Sequence, residues 1–170
     1  MMYALNHLNA KMAQHGIRGE VALYGGAVMC LVFNAREQTH DIDAIFQPAS
    51  EIRHMAHQTA VELGLPEDWF NDGVKGFVSQ NNDIVIIERM SHLNIYSATP
   101  TYMFAMKIAA SRTDESSSDI NDLKFLVRYL DIRSMDQAVG IISNYYNLSR
   151  IPVIAQYILH SIIDEYNTQG

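Results

Sequence analysis

The chain has 170 residues, 48% of them apolar, with twelve Lys and Arg against nineteen Asp and Glu and a net charge of −7. That is enough chain for one well-buried core and too little for two full-sized domains. A single cysteine excludes an internal disulfide and a multi-cysteine zinc site, and an acidic balance without any run of basic residues argues against strong general nucleic-acid affinity, which comes mainly from phosphate neutralisation.

In chain order, Tyr3 to Gln14 carries apolar residues at helical spacing (Leu5, Leu8, Met12) and stops at His15-Gly16. "VALY" reads as a short buried strand, broken by Gly25-Gly26. Ala27 to Asn34 is apolar on nearly all sides, which suits a short helix on a sheet with Cys30 as a buried hydrophobe. "DIDAIF" alternates charged and apolar residues, the period of a strand, here expected at the centre of the sheet. Ser50 to Leu63 reads as a helix with Ser50 as N-cap and Gly64 as stop. Strands are expected near Val74 to Ser79, Asp83 to Glu88 and Leu93 to Ser97, with "QNND" as a hairpin turn. Four helices follow, Tyr102 to Arg112, Ser118 to Leu130, Met135 to Tyr145 and Pro152 to Tyr166, with "TDESSSD" as a polar loop. The order predicts an α+β fold: a small mixed β-sheet with flanking helices over residues 1–98, and a helical C-terminal half over 99–170 packed on it as one compact domain. The longest apolar runs, such as Ile84 to Ile87, fall far short of the ~20 residues of a membrane-spanning helix. The first residues lack a signal-peptide pattern, so a soluble, cytoplasmic protein with no membrane partner is expected.

The chemistry concentrates in "LYGGAVMCLVFNAREQTHDIDAIF". Residues i and i+2 of a strand share a face, so Asp41 and Asp43 project together while Ile42 and Ala44 point inward. Two ionised carboxylates so close call for a shared proton or a shared cation, and hard oxygen ligands suit Mg²⁺ completed by phosphate oxygens. The plain alternative is an exposed strand with an acidic outer face. A Gly-Gly turn before a helix lets backbone N–H groups approach an anion, although such pairs also simply make turns.

This stretch resembles the signature of the DNA polymerase beta-type nucleotidyltransferase superfamily: Gly-Gly, a spacer (Ala27 to His40, slightly longer than usual), then D-h-D. "TPTYMFAMKIAASRTDESSSDINDLKFL" is similar to the helix pair of AbiEii-type nucleotidyltransferase toxins and their uncharacterised relatives, and "LPEDWFNDGVKGFV" has the flavour of those relatives. The resemblance implies a nucleotidyltransferase-like sheet and catalytic residues at Asp41, Asp43, Lys107 and Asp119 or Asp122. It implies Mg²⁺ or Mn²⁺ on Asp41 and Asp43, and nucleotide contacts at Gly25, Gly26, Thr39 and Arg112. It further implies a nucleoside triphosphate as donor, a protein, small molecule or tRNA end as acceptor, and a cognate toxin or antitoxin as partner.

Read without the resemblance, Lys107 interrupts "MFAMKIAAS", where an ammonium needs a carboxylate, a phosphate or an escape to water. Asp119 and Asp122 lie three apart on one helical face, where acids also serve as ordinary helix-start devices. Arg112 either binds phosphate or ends its helix. The superfamily places a third carboxylate on a later strand beside the D-h-D strand. If "LNIYSA" is that strand, its positions hold Asn94 or Tyr96, so Asp119 or Asp122 must supply the acid or the site is weakened. His54 and His57 lack a completing zinc motif, and His40 points away from Asp41. Two readings follow: a nucleotidyltransferase, or a catalytically weak or inactive nucleotide- or partner-binding module of the same fold.

Overall fold

The computed structural model describes residues 1–112 and 117–169. It is an α+β protein with a five-stranded mixed sheet in the order β3-β2-β1-β5-β4. The chain divides into two compact units, one of Met1–Gly76 and Ile84–Ala98, the other of Phe77–Asp83 and the chain from Thr99 onward.

In the first unit, helix α1 (Met2–Gln14) leads into β1 (Gly19–Leu23), α2 (Gly25–Leu31), β2 (Ile42–Gln47), α3 (Ala49–Leu63), β3 (Phe70–Asn71), β4 (Ile84–Arg89) and β5 (Leu93–Ala98). Strand β1 runs antiparallel to β2 and parallel to β5, and β4 closes the far edge antiparallel to β5. Val21, Leu23, Ile42, Ala44, Phe46, Leu93 and Ile95 are buried. They share one sheet face by the period of two. Met12 of α1 and Ile52 of α3 close over Gly19 on β1 so tightly that an added Cβ would stand 2.6 and 2.8 Å from their side chains.

Several elements differ from the expectation. The D-I-D strand is internal but not central: β1 holds the middle, because only the two-residue β3 lies outside β2. Residues 73–77 form a 3-10 turn instead of a strand. Asn71 Oδ1 accepts the Gly73 N–H, and Lys75 pairs with Asp72 one turn away, contacts that bend the chain locally. The hairpin accordingly lies at Met90–His92, between β4 and β5, and not at "QNND". Pro48, extended at φ −67°, caps α3 without a side-chain bond, so Ser50 sits inside the first turn and is no cap. Cys30 is half-buried near the end of the seven-residue α2, not fully buried.

The second unit holds α4 (Pro100–Ala109), α5 (Ser117–Tyr129), α6 (Met135–Ser143) and α7 (Val153–Gln169). Pro100 opens α4, where a missing N–H costs nothing. Ser134 and Gln137 form a reciprocal capping box at α6. The expected polar loop "TDESSSD" falls partly on 113–116, outside the described residues, and its last residues belong to α5. Residues 77–83 are fastened to these helices. Ser79 Oγ donates to the Tyr145 carbonyl at 2.6 Å, the Ser79 N–H donates to the Tyr102 hydroxyl at 2.7 Å, and Asp83 Oδ2 accepts from Thr99 Oγ1 at 2.7 Å and the Tyr145 hydroxyl at 2.9 Å. Burial raises the Tyr145 phenol above its ordinary pKa.

Candidate functional site

The junction of β1, α2 and β2 gathers the sequence-nominated residues of the first unit. The Tyr24 N–H donates to the Asp43 carbonyl at 2.9 Å, which aligns the end of β1 with the start of β2. Gly25 follows at φ +57°, a left-handed conformation that costs a residue with a Cβ about 1–2 kcal/mol. A Cβ there would also stand 2.8 Å from Asp43 Oδ2. Gly25 and Gly26 are the first two residues of α2 and not a turn ahead of it. At Gly26 a Cβ would collide with Thr39 Oγ1 and stand 3.2 Å from Arg36 Nη1. The glycines thus leave a close approach beside a carboxylate on one side and a hydroxyl and a guanidinium on the other.

Asp41 sits immediately before β2 and Asp43 within it, flanking the buried Ile42. Asn71 of β3 pairs in register with Asp43, which sets the two side chains on one face. Its Nδ2 donates to Asp41 Oδ2 at 3.1 Å, so Asp41 lies on that face as well. Strand β5 is separated from β2 by β1, so Asn94 and Tyr96 are not neighbours of the carboxylate strand. Tyr96 instead donates to Glu20 at 3.2 Å. The strand beside β2 is β3, and the residue it presents is Asn71, an amide. Next to it, Asp72 is bound by Lys75 and Arg53, which hold its carboxyl below the ordinary carboxylate range, the Lys75 hydrogen bond most of all.

In the second unit Lys107 lies on α4 with only 12% of its side chain exposed. Its ammonium meets Asp122 Oδ2 at 2.7 Å and Asp119 Oδ1 at 3.1 Å. The ammonium is thus neither snorkelling to water nor alone: the three residues that the sequence nominated separately form one ion-paired group. Asp122 is 2% exposed and Asp119 47%, so the pair with Asp122 is the interior one. Arg112 is exposed beyond the end of α4.

Among the described residues, no group of three or more His, Cys, Asp and Glu is arranged to hold a metal ion. His54 bonds Gln58 along α3, His57 faces Glu67 at 3.7 Å, and His40 is exposed. The donor set at Asp41 and Asp43 is two carboxylates on one face, which fits a hard cation that completes its shell with phosphate oxygens and water.

Sequence reasoning missed two residues here. Arg36 gave no signal within the spacer "NAREQT", and Asn71 was hidden in a turn-like "WFNDG". Compared with family models, curated proteins and solved structures, the chain finds no match.

Proposed function

We propose that the chain is a nucleotidyltransferase-like protein that moves a nucleotidyl group from a nucleoside triphosphate to a hydroxyl acceptor and releases pyrophosphate. The observation that carries this reading is the carboxylate pair Asp41 and Asp43 on one sheet face, with Asp43 packed against a left-handed Gly25 where no Cβ fits. Asp41 and Asp43 would hold Mg²⁺ or Mn²⁺, which when bound offsets charge on the phosphates. Gly25 and Gly26 let Asp43, Thr39 and Arg36 close in on the backbone at the start of α2, and those side chains would meet the phosphates there. The toxin resemblance assigns Lys107 and either Asp119 or Asp122 to the active site, and in this chain the three form one ion-paired group of the second unit. The acceptor is a protein, a small molecule or a tRNA end, and the acidic balance leans toward the first two. A role as one half of a toxin–antitoxin pair, in the cytoplasm, belongs to the same reading.

A second reading, a nucleotide- or partner-binding module of the same fold, is favoured by Asn71: the strand beside the pair presents an amide and not an acid. Thermal melts with Mg²⁺ and each common nucleoside triphosphate test both readings, since a ligand that binds only the folded state raises the melting temperature. A Mg²⁺-dependent shift that Asp41→Asn with Asp43→Asn abolishes is expected. Pyrophosphate release then separates enzyme from binder. No shift with any triphosphate at millimolar Mg²⁺ sinks both nucleotide readings.

A further inference from the structure

Asn71 makes two hydrogen bonds that together fix how its amide is turned. Its Oδ1 accepts the Gly73 N–H at 2.9 Å, which commits the oxygen to the backbone of the following turn. The NH₂ end is therefore the end presented to Asp41, at 3.1 Å from Oδ2. Asn71 is also the in-register partner of Asp43 across the β2–β3 ladder. One side chain thus borders both carboxylates, orients one of them and adds no charge. Groups that orient a metal-binding carboxylate typically change metal affinity 10–100-fold when removed.

We propose that Asn71 is a positioning residue of this site: it holds the Asp41 carboxylate from the neighbouring strand with a neutral donor, so that Asp41 and Asp43 retain a divalent cation well only together with the phosphate oxygens of a triphosphate. The proposal rests on the nucleotidyltransferase reading above. Its physical basis is the count of charges. Two carboxylates and an amide, with the Arg36 guanidinium at the same junction, leave a hard, strongly hydrated cation short of anionic ligands, and phosphate oxygens make up the difference.

The test uses the full chain and reads binding, not turnover. Mn²⁺ alone, and Mn²⁺ with a non-hydrolysable ATP analogue, are titrated well below the melting temperature, with free Mn²⁺ followed by its paramagnetic resonance signal. Wild type is expected to hold Mn²⁺ about tenfold or more tighter with the analogue than without it. Asn71→Ala, which removes both hydrogen bonds, should weaken the ternary complex by about tenfold. Asn71→Asp is nearly isosteric and can still accept the Gly73 N–H, so it isolates the change at Asp41. It should bind Mn²⁺ alone about tenfold tighter than wild type and depend less on the analogue, while melting lower than wild type without cation because three carboxylates then crowd together. If wild type binds in the ternary arm but both variants stay within twofold of it in both arms, the positioning role is overturned and the functional reading stands. If wild type retains Mn²⁺ in neither arm, the functional reading fails and takes the positioning role with it. Should Asn71→Ala fail to fold, Asn71→Asp alone decides.

Discussion

Removing the charge of Lys107 takes away the cation that compensates Asp122 in the interior of the helical unit. Lys107→Met keeps the apolar stem, and a loss of about 3–5 kcal/mol is expected from denaturant unfolding, because a buried carboxylate deprived of its counter-charge is costly. Combining it with Asp122→Asn should recover much of that loss, since the buried carboxylate charge is then gone. A loss below about 1 kcal/mol for the single change would mean that the pair is solvated like a surface bridge. The sequence made Lys107 conspicuous, because an ammonium amid "MFAMKIAAS" demands an anion, but it did not say which acid answers. The fold uses both candidates, with Asp119 and Asp122 one helical turn apart on α5. Asn71 was illegible for the opposite reason. An amide beside an acidic turn looks like ordinary turn chemistry until a two-residue strand pairs it with Asp43.

Helices α1 and α3 are clamped by polar groups at their edges. Glu62 of α3 accepts from Lys11 at 2.5 Å and lies 2.6 Å from the His7 ring nitrogen, and both contacts reach α1. Hydrogen bonding to Lys11, then to His7, holds the Glu62 carboxyl below its ordinary pKa. A carboxyl depressed by folding adds stability above its unfolded-state pKa and loses it as pH falls through the folded value. The clamp should therefore be intact at neutral pH and weaken only once pH falls below the ordinary glutamate value of about 4.3. Melting temperature followed from pH 7 to pH 3 should fall less steeply in Glu62→Gln than in wild type, and parallel curves would remove this clamp from the acid response. Elements of this kind were readable because their apolar spacing is regular: Leu5, Leu8 and Met12 on α1, and Ile52, Met55 and Ala56 on α3, are all buried as a helical face requires. The strand expected from Val74 was misread because side-chain bonds of Asn71 and Asp72, not a hydrophobic period, shape the 3-10 turn at Gly73–Phe77.

For the molecule as a whole, the charge of −7 has a direct consequence. Random duplex DNA should bind no more tightly than about 100 μM at physiological salt, the weak end of non-specific affinity. Fluorescence anisotropy with a labelled duplex checks this, and salt-sensitive micromolar binding would reveal a local basic surface. No helix among the described residues is long and apolar enough to cross a membrane. The α+β class was legible from element order alone. The assignment of residues 77–83 to the helical unit was not, because it depends on Tyr102 and Tyr145, aromatic residues remote in sequence.

That segment also imposes a timetable on the ribosome's product. Asp83 is made 62 residues before Tyr145, the hydroxyl that later bonds its carboxylate. At ~5–20 residues per second this is a wait of roughly three to twelve seconds. During that wait β4 and β5 can already complete the sheet on either side of the three-residue turn between them. Nascent chains halted before Tyr145 would therefore carry residues 77–83 without one of their anchors, and a protease pulse applied to such stalled chains would find its cleavage site there.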